Sequence, residues 1–374
     1  MPGLGMRLSV LAGPSVPVPL PMPVATRLRS AQVVETDEER SAFTLTFDAG
    51  RSGPGGAADS ELLTASPVRT GARVVLVVTF GAVPTVLFDG IVTTVTLTPG
   101  PDPATFTATG EDVSVLLDKD ERDAEHPALD DYPQVLAILA PYAAHGIVPM
   151  AVPPMDMDPP LPIERVPTQH TTDLRHLVAL AQRHGYAAYV LPGPLPGSSR
   201  FYWGPPVRVG LPQPAVSVDL GPVSNVEGLN FRTESLAPVR VEGSVQDPRT
   251  GTTLPVQAVA SLRPPLAAVP AWAVSSRTRR FRDGGIGPTT AYARAQSEVD
   301  RSVDAVIGEG ELDGGRYGAV LRPRGLVGVR GAGWSHDGLW YVQRVTHDIA
   351  PGSYRQHFTI TREGFGSTVP AVVV

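Results

Sequence analysis

At 374 residues the chain is long enough for two or three domains with well-buried cores. Its 31 basic and 37 acidic residues leave a mild net charge of −6, without the basic field of a nucleic-acid binder, and zero cysteines remove disulfides, thiolate metal sites and cysteine nucleophiles together. With 38 Gly, 40 Pro and only 18% charged residues, the composition favours a β-rich protein with many turns, because proline lacks an N–H and clashes with the preceding helical turn.

The apolar stretch Leu8–Leu20 follows Arg7, but Pro14, Pro17, Pro19 and Pro21 break it up and no small-residue cleavage site follows, so no secretory leader is expected. No run approaches the roughly 20 apolar residues of a membrane helix, so a soluble chain without a membrane anchor is expected. Arg7–Ala12 and Thr26–Glu35 read as short strands. Ala42–Asp48 alternates, with Phe43, Leu45 and Phe47 on one face. A Gly-rich loop is expected over Arg51–Ala58, a buried strand over Ala72–Phe80, at least one more within Thr85–Thr98, and a short element from Phe106 to Thr109.

Character changes after Val115. The charge run Asp118–Glu125 leads to a helix over Tyr132–His145, ended by Gly146 and kinked or shortened by Pro141, and then to a Pro-rich link, Pro149–Pro162. The clearest helix follows. Thr171 or Thr172 can cap it, Leu174, Leu177, Val178 and Ala181 fall on one face, and Gly185 sits just past its end. Tyr186–Leu191 and Arg200–Trp203 read as a hairpin. From about Gly221 the chain turns β-rich again, with strand-like pieces in Val256–Ser276 broken by Pro264, Pro265 and Pro270. A second amphipathic helix is expected over Thr289–Ile307, with Ala291, Ala295, Val299, Val303 and Val306 inward, and a series of strands over Arg316–Glu363.

Two distant segments share a pattern. Asp89-Gly90 is followed by Val92-Thr93-Thr94-Val95-Thr96 and then Phe106-Thr107-Ala108-Thr109. Asp337-Gly338 is followed by Val342-Gln343-Arg344-Val345-Thr346 and then Phe358-Thr359-Ile360-Thr361. Asp-Gly turns and Val/Thr strands are common in any β-protein. The alternative is a duplicated β-domain whose copies lie about 250 residues apart, and the shared order of turn, strand and strand favours it. A spacing this long means two similar domains rather than a solenoid.

Chemistry is hard to find. The eight histidines contain no H-E-x-x-H, and His170, His176 and His184 are spaced so that they do not share a helix face. Asp156 and Asp158 lack the further oxygen donors and glycine of a calcium loop, as does the run Asp118, Asp120, Glu121, Asp123 and Glu125, which reads as a solvated face. There is no nucleophile elbow and no phosphate loop, and Gly284-Gly285-Ile286-Gly287 lacks a strand-to-helix frame. Arg277, Arg279, Arg280 and Arg282 form a short basic cluster suited to an acidic partner surface or to solvent. No catalytic, cofactor-binding or metal-ligating residue is assigned.

Thr171–Val190 resembles a recurrent passage of tail hub proteins, in which a helix ending in a basic residue and glycine enters a strand with aromatic residues. The family is phage late control protein D, which shares a fold with the hub part of type VI secretion spike proteins. Leu87–Val92 resembles a strand of its first barrel, and Ala291–Ile307 the helix before its final barrel. Trp340–His347 with Tyr354–Glu363 is similar to its closing hairpin, although Arg355 and Gln356 depart from the usual polar or threonine positions.

The resemblance implies a mainly β protein with an α/β insertion: two similar tube-forming β-barrels, 1–117 and 223–374, flanking an α/β section, 118–222. It implies a pseudo-sixfold ring built by a homotrimer and a non-enzymatic baseplate hub in a virion or tail-like particle assembled in the bacterial cytoplasm. Such a hub joins a sixfold tail tube protein to a threefold spike and gives wedge proteins a platform. The family's spike fusions continue past the hub, whereas this chain stops soon after Glu363, so the spike is expected to be a separate protein. Trp203, Trp272 and Trp340 are candidate interface residues, with core positions as the alternative. The competing readings are a distal-tail or host-binding module of a non-contractile tail and, behind it, a tail-carried cell-wall hydrolase.

Overall fold

Alternating apolar and polar residues draw much of the chain into strands, as the computed structural model shows for residues 5–14, 16–37, 40–50, 66–99, 104–154, 166–248 and 250–369. The loop expected over Arg51–Ala58 lies outside these described residues, as do Asp156 and Asp158.

The N-terminal part contains β1 (Met6–Gly13), β2 (Val18–Pro19), β3 (Leu28–Thr36), β4 (Ala42–Asp48), β5 (Arg73–Phe80), β6 (Val83–Thr98) and β7 (Thr105–Asp112). The expected strand or strands of Thr85–Thr98 are one 16-residue strand. The middle carries β8 (Glu121–Glu125), β9 (Ile147–Ala151), β10 (Thr168–Thr172), β11 (Ala187–Pro192), β12 (Ser199–Gly204) and β13 (Gln213–Ser217). Then come β14 (Val226–Thr233), β15 (Val239–Gln246), β16 (Thr253–Ala258), β17 (Ala267–Pro270), β18 (Arg277–Arg280), β19 (Val306–Asp313), β20 (Leu326–Arg330), β21 (Gly338–Ala350), β22 (Ser353–Arg362) and β23 (Gly364–Ser367).

Two five-stranded units have the same order. The first runs β3-β4-β7-β6-β5 and the second β14-β19-β22-β21-β20. Their hydrogen-bond registers correspond as well. From Thr94 to Arg344, and from its partner Thr109 to Thr359, the step is the same 250 positions. Both hairpins carry a register shift at the matching place, between Val92 and Thr94 and between Val342 and Arg344. The duplication suggested by the sequence is therefore present in the strand topology, with one adjustment. Phe358 pairs with Val345 and so corresponds to Ala108, partner of Val95, whereas the shared F-T-x-T pattern had aligned it with Phe106. The slip of two keeps every side chain on its face, which is why the sequence pattern survives it.

Each unit wraps around its own core. Ala31 and Val33 of β3 share one cluster with Val74, Leu76 and Val78 of β5, although these strands stand at opposite ends of the unit's order. In the second unit Leu229 and Phe231 of β14 pack on the cluster that holds Val327 and Val329 of β20, around Trp340, Phe358 and Ile360. Antiparallel pairing of β21 with β3, Arg344 opposite Thr36 through Ile349 opposite Ala31, fuses the two units into one 13-stranded sheet that also takes in β1, β2 and β13.

The middle section packs the helices Asp131–Leu139 and Asp173–Arg183 on the sheet β11-β12-β9. The expected helix over Tyr132–His145 becomes 3-10 from Ala140, with Pro141 in the first turn of that segment and Gly146 at φ +76° ending it. Pro149, expected in a link, lies in β9, an edge strand, where a missing N–H costs no ladder bond. A further layer, β16-β15-β18 under the helix Pro288–Ser302, is inserted between β14 and β19.

That helix stops five residues before the expected Ile307, and Val306, expected on its inner face, opens β19 instead. Val306 is paired there with Arg362 of β22 and Thr233 of β14, and the strand it opens is packed closely: a Cβ on Gly308 or Gly310 would lie 2.9 Å from Ile360 Cγ1 or 2.6 Å from Phe358 Cζ.

Candidate functional site

Eight consecutive strands, β14-β19-β22-β21-β3-β4-β7-β6, share one polar face. Because successive side chains alternate, burying Phe43, Leu45, Phe47, Phe106 and Ala108 turns Thr44, Thr46, Thr105, Thr107 and Thr109 to the other side. Direct pairings carry this face across both units: Thr94 opposite Thr109, Thr109 opposite Thr44, Thr44 opposite Gln32, Gln32 opposite Asp348, and Asp348 opposite Arg355.

The two halves differ in chemistry. The first unit presents mainly threonine hydroxyls. The second presents an ion-pair ladder: Arg232 Nη1 lies 2.6 Å from Glu309, Arg355 Nη1 2.7 Å from Glu227 with Glu311 also in contact, and His357 Nε2 3.4 Å from Asp348. Hydrogen bonding to Glu311 and Glu227 raises the Arg355 pKa, and bonding to Glu309 raises that of Arg232. Such exposed pairs add little stability. They leave a wettable surface on which most charges are paired, with Arg344 exposed beside them.

Where the units meet, buried charge replaces surface charge. Glu35 of β3 accepts from Arg322 Nη1 at 3.2 Å and from His347 Nε2 of β21 at 3.2 Å, and the Tyr354 hydroxyl lies 2.9 Å from His347 Nδ1. Burial pushes the Glu35 carboxyl up, but Arg322 and His347 outweigh it and hold the pKa below the usual value. Burial dominates at His347 and lowers its pKa, so Glu35 is ionised beside a neutral imidazole. That protonation state has Nε2–H donating to Glu35 and Nδ1 accepting from Tyr354. Arg322 also donates to the Leu87 carbonyl at 2.6 Å and to that of Val86. Arg324 stacks 3.9 Å from the Tyr189 ring centroid and donates to the carbonyls of Val190, at 3.0 Å, and Thr36. Two arginines thus clamp the second unit to the first unit and the middle section. The sequence reading missed both, because neither sits in a run or a motif.

The candidates from the sequence do not converge. His170 pairs with Asp123 at 2.7 Å on the surface, His176 stacks on His126 at 5.7 Å, and His184 lies 3.0 Å from Asp131. Among the described residues no three His, Asp or Glu side chains gather at metal-binding distance. Asp118 binds Thr172, Arg40 and Arg175, while Glu121, Asp123 and Glu125 lie on β8. Arg279 and Arg280 pair with Glu298 and Glu242. Trp203 and Trp340 are each 0% exposed, their indole N–H groups bonded to the Leu177 and His336 carbonyls, so they are core residues and not interface anchors. Trp272 is half-buried, and Trp334, not singled out from sequence, is 67% exposed.

No protein-family model matches the sequence, and no curated protein matches it. Solved structures do match in fold. A tail protein from Neisseria meningitidis MC58 aligns with a TM-score of 0.65 at 11% identity, covering 97% of this chain and 98% of its own. The 43 kDa tail protein of prophage MuSo2 from Shewanella oneidensis aligns with a TM-score of 0.64 at 13% identity, covering 96% and 99%. The E. coli c3393 protein, a type VI secretion component similar in structure to the T4 bacteriophage tail proteins gp27 and gp5, aligns with a TM-score of 0.54 at 13% identity, covering 97% and 79%. The chain has the mainly β fold of phage tail proteins and of type VI secretion spike-related proteins.

Proposed function

We propose that the chain is a structural baseplate hub of a phage tail or tail-like contractile machine, acting as a homotrimer that sets six similar units in a ring. The observation that carries this reading is the repeat. One chain supplies two units of identical strand order already joined side by side through β3 and β21. Three copies would offer sixfold-like geometry to a tail tube above and threefold geometry to a spike below, and a closed ring leaves no strand edge open. The division into tube-type barrels, 1–117 and 223–374, and an α/β section, 118–222, belongs to the same proposal. So does a role for the middle section in contacting wedge proteins. The polar eight-stranded face would line the channel, where largely paired charges and hydroxyls let cargo pass without adhering. No catalytic residue is needed.

Light scattering across a range of protein concentrations tests the reading. A mass near three times 39.4 kDa is expected. A monomer at every concentration, with and without a tail tube protein, would overturn it.

A further inference from the structure

The repeat also says which edges are still open. On β21, one edge is shared: Gly338–Tyr341 pair with β20, and Arg344–Ile349 pair with β3. On β6, the equivalent strand of the first unit, β5 covers Val83–Ile91 of that edge, and among the described residues no strand pairs with the edge beyond it. Thr94, Thr96, Leu97 and Thr98 are exposed there. The strand equivalent to β3 is β14. Among the described residues it pairs with β19 alone, and it presents Asn230, Arg232 and Thr233 to solvent. Among the described residues, the two repeated units of each chain therefore leave one donor edge and one acceptor edge unfilled. They are the counterparts of the two strands already joined inside it.

We infer that copies of this chain join by antiparallel pairing of the second half of β6 with β14 of the next copy, in the register of the internal β21–β3 junction. That register is fixed by the ladders. Ala31 and Val33 pair with Leu45 and Phe43 of β4, which correspond through β7 and β22 to Gly310 and Gly308 of β19. These in turn pair with Leu229 and Phe231. His347 opposite Val33 thus becomes Leu97 opposite Phe231, and Thr346 opposite Val34 becomes Thr96 opposite Arg232.

The chemistry fits this register. Leu97, 39% exposed, pairs with the core residue Phe106 and so faces the first unit's core. Phe231 packs against the second unit's core, its ring 5.2 Å from that of Trp340. Pairing them would join the two cores between copies, as Ile349 and Tyr354 enter the first unit's core within one chain. On the other face Thr94, Thr96 and Thr98 would meet Glu234, Arg232 and Asn230, which continues the polar lining. Because the donor and acceptor edges are different patches, the contact is head-to-tail and must close as a ring or run on as a filament.

This rests on the hub reading only in taking the partner to be a second copy. The chain has no cysteine, so introduced pairs report cleanly. A chain carrying both Thr96→Cys and Arg232→Cys, oxidised in the full-length protein, is expected to give covalently linked copies on a non-reducing gel. The register-shifted pair Thr94→Cys with Arg232→Cys is expected to link at least tenfold less. Leu97→Glu, at an exposed edge position, is expected to shift the assembly to monomer with its melting midpoint as a monomer unchanged. A trimer by mass whose Thr96/Arg232 pair stays unlinked, or whose assembly survives Leu97→Glu, would overturn the junction and leave the hub standing. A monomer throughout would overturn both.

Discussion

His347 and Glu35 illustrate how a single buried contact sets the pH response of a junction. The imidazole pKa is lowered from its ordinary value of 6.5, so below about that pH the unfolded chain takes up a proton that the folded chain refuses, and stability falls with pH. The Glu35 carboxyl is held below 4.5, so its contribution is present above that value and is lost as pH falls through the folded pKa. Both groups make the junction weaker in acid, His347 first. Urea midpoints at pH 8 and pH 5.5 are expected to drop less in His347→Gln than in the parent chain. An equal drop in both would show that this imidazole carries none of the response.

At the scale of elements, local chemistry decided what could be read from sequence. The helix Asp173–Arg183 was legible because every signal agrees: Thr172 caps it by accepting from Arg175 N, Leu174, Leu177 and Ala181 are buried, and Gly185 at φ +66° follows its end. Thr172 also donates to Asp118 at 2.5 Å, so Thr172→Ala is expected to lower stability by about 1–2 kcal/mol in denaturant titrations, at the upper end for a lost cap. The end of the helix Pro288–Ser302 was misread because Val303 and Val306 continue a helical spacing, whereas Val306 is taken up by tertiary pairing, opposite Thr233 of β14 and Arg362 of β22. The repeat was legible through Val92–Thr96 and Val342–Thr346 because the residues that flank the same bulge match, Val92, Val95 and Thr96 with Val342, Val345 and Thr346, although those at the bulge differ. The inserted layer β16-β15-β18 was not, since β16 carries Pro255 and β18 is only four residues, all basic or polar. The polar face was half visible: threonine alternation shows in β4 and β7, but that it joins an ion-pair ladder 250 positions away follows only from the β3–β21 pairing. The Arg322 and Arg324 clamp had no signal in sequence, because its partners are mostly backbone carbonyls of distant strands.

For the whole molecule, the clamp and the β3–β21 ladder mean that neither unit keeps its contacts if the other unfolds. Removing the first unit would strip Arg322 of Glu35 and of the Val86 and Leu87 carbonyls, and would expose Ile349 and Tyr354, which lie in the first unit's core. The sequence supplies a way to see whether this coupling is enough to make one cooperative unit. All four tryptophans lie beyond residue 200, at positions 203, 272, 334 and 340, so tryptophan fluorescence is blind to residues 1–117, while circular dichroism reports the strands of both units. The two denaturation curves are expected to superimpose, as they must for a single transition. Arg322→Ala leaves Glu35 buried with a neutral imidazole beside it and only the weaker pull of Arg324, a loss of about 3–5 kcal/mol on the usual scale for a broken buried pair, and both curves are expected to move to lower denaturant together. If dichroism instead keeps changing after the fluorescence has reached its plateau, the first unit unfolds on its own. The repeat would then be two neighbouring domains that share a ladder without sharing their stability.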